Sequence, residues 1–111
     1  MLVRNAGDKI GLKLLAGKTG IDKELTGVYI CDLLSWVMAH GSKGDAWITV
    51  QTHANIIAVA ALLELSCIIV ADGAEVEEET LRKAEEEGVA LYQSTESAYE
   101  IAKKLYRMGI E

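Results

Sequence analysis

An α/β domain with a mostly parallel sheet of about five strands is what this sequence predicts, on three observations. Short apolar runs of strand length alternate with longer stretches of helical period, the order that βα units require. The apolar half of the composition is built from Leu, Ile, Val and Ala, with no Phe and no Pro, and such side chains suit strands buried on both faces. The length of 111 residues matches one domain with one core, so residues 1–111 are expected to fold as a single unit.

The elements follow in order. Leu12 to Ala16 is a candidate strand ended by Gly17-Lys18-Thr19-Gly20, and Val28 to Cys31 is a second, entered through Thr26-Gly27. Asp32 is placed to cap a helix over Leu33 to Ala39 by accepting amide protons of its first turn, and His40-Gly41 ends it. Ala46 to Val50, with Trp47, Ile48 and Val50, has a strand's β-branched and aromatic bias; Ala54 to Glu64 reads as the helix behind it. Cys67 to Ala71 is the next strand, closed by Asp72-Gly73. Glu77 to Glu87 is an acidic helix with Leu81 and Ala84 inward, and Gly88 suits a left-handed exit. Val89 to Tyr92 is the last strand. Between Glu96 and Met108, Ala98, Ile101, Ala102, Leu105 and Tyr106 recur at three and four, the buried face of an amphipathic helix.

Seventeen acidic against eleven basic side chains give a formal charge of −6, which repels a phosphate backbone, and no basic patch offsets it; nucleic acid is not an expected partner. Arg4, Asp8 and Lys9 precede any sustained apolar run, unlike a signal peptide. A cytoplasmic protein that does not enter a membrane is expected. Cys31 and Cys67 each stand in an apolar stretch and read as buried thiols; with His40 and His53 they are spread singly, without the paired spacing a zinc site needs. No metal or cofactor is expected.

Two helices are apolar around most of their circumference. In residues 54–63 only Asn55 is polar, and Leu33 to Ala39 is similar; both are too short to span a bilayer. A domain this small has little interior for two such helices, so a homodimer through helices 33–39 and/or 54–64 is expected. The other arrangement open to them is close packing of small Ala side chains against the sheet.

Leu15-Ala16-Gly17-Lys18-Thr19 invites comparison with a phosphate loop, but position 12 is Leu and Gly20 falls where a helix should begin. Gln51-Thr52-His53-Ala54-Asn55 is more informative, because it joins the carboxyl end of a strand to the start of a helix, where open α/β sheets collect ligands. Free amides at that helix start would favour an anion, with Gln51, Thr52, His53 and Asn55 around it. The other strands would bring Asp32, Asp72, Gly73, Ser94 and Thr95 to the same edge. Local roles stand beside this one: Thr52 or His53, and Ser94 or Thr95, as helix caps, Asn55 bonding the first turn, and Gly73 as a turn. Glu77-Glu78-Glu79 and Glu85-Glu86-Glu87 read as a solvated face.

The segment Val50-Gln51-Thr52-His53-Ala54-Asn55-Ile56-Ile57-Ala58-Val59-Ala60 resembles the DRTGG domain family. Leu14-Leu15-Ala16-Gly17, Leu25-Thr26-Gly27-Val28-Tyr29-Ile30-Cys31-Asp32-Leu33-Leu34-Ser35, Ile69-Val70-Ala71-Asp72-Gly73 and Ser94-Thr95 continue the likeness in the family's order. The naming motif is partial: Asp22-Lys23-Glu24-Leu25-Thr26-Gly27-Val28 keeps the Thr-Gly step and lacks the second glycine. The resemblance implies a three-layer α/β/α fold like the N-terminal domain of HPr kinase/phosphorylase, whose kinase chemistry belongs to a separate domain, so kinase activity is not expected. It also implies the regulatory and subunit-contact roles such domains have beside CBS domains, and it carries over no catalytic residue. The expected function is a non-catalytic, stand-alone regulatory or dimerisation domain, sensing a nucleotide or other small anionic metabolite at the carboxyl edge of the sheet. The alternative is a small enzyme acting on a phosphorylated metabolite through His53 and Asp72.

Overall fold

Four consecutive apolar residues, Cys67–Val70, form a strand in which every residue is buried, and the remaining strands are arranged on either side of it. The computed structural model describes residues Met1–Glu111. The elements are α1 (Val3–Ile10), β1 (Lys13–Ala16), a 3₁₀ turn (Lys18–Gly20), β2 (Gly27–Ile30), α2 (Leu34–His40), β3 (Asp45–Thr49), α3 (Asn55–Leu63), β4 (Cys67–Val70), α4 (Glu78–Glu87), β5 (Leu91–Gln93) and α5 (Ala98–Arg107). The sheet order is β1-β5-β4-β3-β2, which puts β4 at the centre.

β2 through β5 are parallel to one another and are laid down in one direction across the sheet. Right-handed crossovers in one direction place all their helices on one face. Accordingly Val37 of α2, Ile56, Ile57, Val59 and Ala60 of α3, and Ala84 of α4 pack with Trp47, Ile68, Val70 and Leu91 in one core layer. The opposite face is covered from the two ends of the sequence. Val3 and Ala6 of α1 and Ile101 and Leu105 of α5 pack with Ala46, Ile48, Cys67, Ile69 and Tyr92. The result is the expected three-layer α/β/α arrangement.

Several elements differ from expectation. β1 runs antiparallel to β5, with Lys13 opposite Gln93 and an irregularity between Leu14 and Ala16. It leaves α1 on one face and turns back at Gly11, whose φ of 71° ends that helix. No helix was expected ahead of β1. Its inward residues are small: Gly7 lies against the Tyr92 ring, where a Cβ would sit 2.9 Å from Cε1, and a stripe of Val3, Ala6 and Gly7 is easily read as loop. Cys67 is buried as expected, whereas Cys31 is only partly buried, because it stands just past the end of the edge strand β2. Burial pushes the Cys67 thiol up to about 12, which leaves it neutral and unreactive. α3 was expected to be apolar all round, and it is; it packs between α2 and α4, leaving mainly alanines and Leu62 outside.

Gly11 and Gly17 share a left-handed backbone, φ 71° and 80°, but differ in surroundings. A Cβ at Gly11 would meet nothing within 4 Å, while one at Gly17 would collide with the carbonyl of Val89. Gly11→Ala should therefore lower stability by about 1 kcal/mol, the backbone term alone. Gly17→Ala should exceed it by about 2 kcal/mol through the added clash. Urea unfolding of the two variants checks the difference, and equal losses would contradict the packing at Gly17.

Candidate functional site

Because β2, β3, β4 and β5 are parallel, the loops that follow them emerge at one edge of the sheet. All nine residues expected there, Asp32, Gln51, Thr52, His53, Asn55, Asp72, Gly73, Ser94 and Thr95, lie in or beside these four loops. Five of them fall into two hydrogen-bonded groups, Asp32 and Gln51 in one and Asp72, Gly73 and Ser94 in the other.

The first group ties β2 to β3. Asp32 Oδ1 accepts from the Thr49 hydroxyl at 2.8 Å and from the Val50 amide at 2.9 Å. The Gln51 side-chain amide donates back to the Asp32 carbonyl at 2.6 Å, and the Gln51 backbone N–H donates to Thr49 Oγ1 at 3.1 Å. Asp32 therefore does not cap α2, whose cap position is Leu33 with no side-chain bond. The carboxylate points across the sheet because two donors at the end of β3 compete successfully for it. Thr49, buried at the centre of this group, was not anticipated. Its signal in the sequence is a lone hydroxyl closing an apolar strand.

The second group ties β4 to β5. The amides of Asp72 and Gly73 donate to the carbonyls of Glu96 and Ser94, both at 2.8 Å. Asp72 and Gly73 are consecutive left-handed residues, with φ of 58° and 64°; Asp tolerates this conformation better than most side chains and Gly adopts it freely. The Gln93 side chain donates to the Ala74 carbonyl at 2.8 Å, and Ser94 Oγ accepts from the Glu96 amide at 3.0 Å. Neither Ser94 nor Thr95 caps α5, because Ser97 does so, accepting from the Glu100 amide at 3.3 Å. Between the groups, Thr80 of α4 donates to the Thr52 carbonyl at 2.7 Å.

The start of α3 is less open to an anion than its sequence suggests. The Asn55 amide donates to His53 Nδ1 at 3.2 Å, and the Ile56 and Ile57 amides donate to the carbonyls of His53 and Ala54, both at 3.1 Å. These donors are taken by a local turn, so recognition here would fall to side chains. With Nδ1 accepting, a neutral His53 carries its proton on Nε2. No hydrogen bond or ion pair joins His53 to Asp72, and the His53 ring bonds only to the Asn55 backbone. His53 and Asp72 therefore do not form an acid–base pair with each other.

The edge is an open face rather than an enclosed cavity. Asn55 is the one member of the set that borders a depression, of about 300 Å³, shared with Lys83 and Glu87. No three His, Cys, Asp or Glu side chains converge to hold a metal ion. At the failed phosphate loop, the Gly17 and Lys18 amides donate to Glu85 Oε1 at 2.7 and 3.4 Å. A carboxylate of the chain itself thus stands where a phosphate would, and Glu85 is not simply part of a solvated face.

The Asp32 bonds carry a direct consequence. Asp32→Ala would leave the buried Thr49 hydroxyl without its acceptor and should cost about 2 kcal/mol. Urea unfolding, together with faster hydrogen exchange at the Val50 amide, measures the loss; an unchanged midpoint would show that the β2–β3 link is dispensable.

Comparison with known proteins now adds to the geometry. A model of the DRTGG domain matches residues 8–108. No curated protein matches the sequence. Among solved structures, the CBS and DRTGG domains of the regulatory region of Clostridium perfringens pyrophosphatase, complexed with the activator diadenosine tetraphosphate, share the fold. The TM-score is 0.76 at 16% identity, over 94% of this chain and 45% of that one. The present chain thus spans less than half of that regulatory region, and the likeness is one of fold. With the family match running through every strand of the sheet, the chain belongs to the DRTGG domain family.

Proposed function

We propose that this DRTGG domain is a non-catalytic regulatory module that works by pairing with a second copy of itself through α2. One observation carries the reading. α2 buries only Val37, while Leu33, Trp36 and Met38 are 60%, 53% and 42% exposed. Leu33, Trp36 and His40 follow one another at three and four, so they share a face, and the Trp36 and His40 rings stack with centroids 4.3 Å apart. Val50, just past the carboxyl end of β3, is also exposed, whereas the exposed Ile30 lies on the other face of the sheet with Val28, Ala102 and Tyr106. Apolar surface of this extent on a small domain marks an interaction face. α3 is the lesser contributor, since Leu62 is its one large exposed side chain.

Ligand sensing at the carboxyl edge is the second reading. It is supported by the C. perfringens regulatory region, which was solved with a nucleotide activator, and by side chains at this edge whose polar groups remain open. His53, Asp72 and Thr95 are exposed there. A nucleotide or other small anion would meet His53 Nε2–H, with Asn55 beside it and Thr95 farther along the edge against Gly73. The enzyme reading built on His53 and Asp72 is weaker, because the two make no contact with each other.

Light scattering at micromolar concentration should give twice the 12.0 kDa chain mass, and Trp36→Glu should return the protein to a monomer without loss of helix content. A monomeric native protein would end the pairing proposal. For the sensing reading, a nucleotide present at about a hundred times its Kd should stabilise the fold by about 2.7 kcal/mol, seen as a raised Tm. His53→Ala should remove most of that rise. No shift with adenine or guanine nucleotides, diadenosine tetraphosphate included, would count against it.

A further inference from the structure

The two edges of the sheet are built differently. β1 carries Lys13 and an irregularity between Leu14 and Ala16, a charge and a break in register of the kind that keeps an edge from pairing with other chains. β2 pairs only with β3 and has neither feature: Gly27–Ile30 is uncharged and in unbroken parallel register. The direction of its backbone groups follows from one bond. The Cys31 amide donates to the Ile48 carbonyl of β3, and backbone groups alternate in direction along a strand. Those of Tyr29 therefore also face β3, while the N–H and C=O of Val28 and Ile30 face outward.

Apolar side chains flank this edge on both faces of the sheet. On one face Val28 and Ile30 border a depression of about 430 Å³ shared with Ala102, Tyr106 and Ile110. On the other, Tyr29 lies in the layer that holds α2. Gly41, at the end of α2, is turned to Leu63 of α3. Trp36, five residues earlier, is about 140° round the helix from it and so stands on the side of the open edge.

A partner for this edge must offer a strand with apolar side chains on both faces and an apolar helix above one of them. A second copy offers both. Antiparallel pairing centred on Tyr29 sets Val28 opposite the partner's Ile30, and these are the residues whose backbone groups face outward, so each can exchange both N–H···O bonds with the other. Tyr29 then stands opposite its own counterpart, and no charged residue of β2 is brought against another. α2 crosses from β2 to β3 and lies over the gap between them. The two copies of α2 would be separated by two strand spacings, about 10 Å, the distance at which helices pack.

We infer, building on the pairing through α2, that two copies join edge to edge through β2, antiparallel about a twofold axis at Tyr29. The two sheets become one, the α2 helices meet above it, and the partner's Ile30 covers Val28 beside the depression on the opposite face.

Cross-linking tests this arrangement. In a Cys31→Ser background, Tyr29→Cys sets two thiols directly opposite each other across the axis, within disulfide reach. Mild oxidation should link it about tenfold faster than Ile30→Cys, whose counterpart lies on the diagonal at about 7–8 Å. Circular dichroism melts establish that both variants are folded. In the unaltered chain, the Val28 and Ile30 amides should exchange with solvent about tenfold more slowly than in the Trp36→Glu monomer, a measurement that needs no change in β2. A dimer by light scattering in which these amides exchange freely overturns the edge pairing and leaves pairing through α2 standing, as does equal linking of the two cysteine variants. A monomeric native chain overturns both.

Discussion

The constraint on which this fold depends is the handedness of its crossovers. Four parallel strands placed side by side in one direction oblige α2, α3 and α4 to share a face. A sheet cannot leave its other apolar face in water, so the segments before and after the four-stranded run must cover it, and α1 and α5 do so. β1 follows from the same requirement: a chain leaving α1 reaches the open side of β5 and can pair there antiparallel without a long crossover.

This arrangement divides the molecule into regions with different tasks. The carboxyl edge is held by side chain to backbone bonds between neighbouring loops, notably those of Asp32, Gln51 and Gln93, so the side chains left open there are mounted on a stiff base. α2 crosses between β2, which is an edge strand, and β3. With no further helix on its outer side, it keeps apolar surface that α3, flanked by α2 and α4, does not.

Much of the fold was legible because it rests on strong periodicity and on glycines in demanding places. β4 and α5 follow directly from Cys67–Val70 and from the spacing of Ala98, Ile101 and Leu105. Gly88 leaves α4 with a φ of 67°, as its position implies. α1 was not legible, because its contact with the sheet is made by Val3, Ala6 and a glycine accommodated by Tyr92, a tertiary fit that no local pattern announces. The site was legible as a place and less so in its bonds. Parallel strands bring the four loops together whatever their sequence, whereas the choice of Asp32 to bond Thr49 in place of the α2 amides depends on two strands meeting. The bond from Glu85 to Gly17 spans 68 positions and leaves no trace in local sequence.

The α1–α5 cover also bears on where this domain ends in practical terms. Sequence similarity to the family begins at residue 8 and stops at residue 108, inside α1 and just short of Ile110. Cutting the chain at those limits would discard Val3, Ala6 and Ile110, which help seal one layer of the interior. A fragment trimmed by homology alone would thus be wetted along one side of its sheet, and its poor solubility would reflect the trimming rather than the domain.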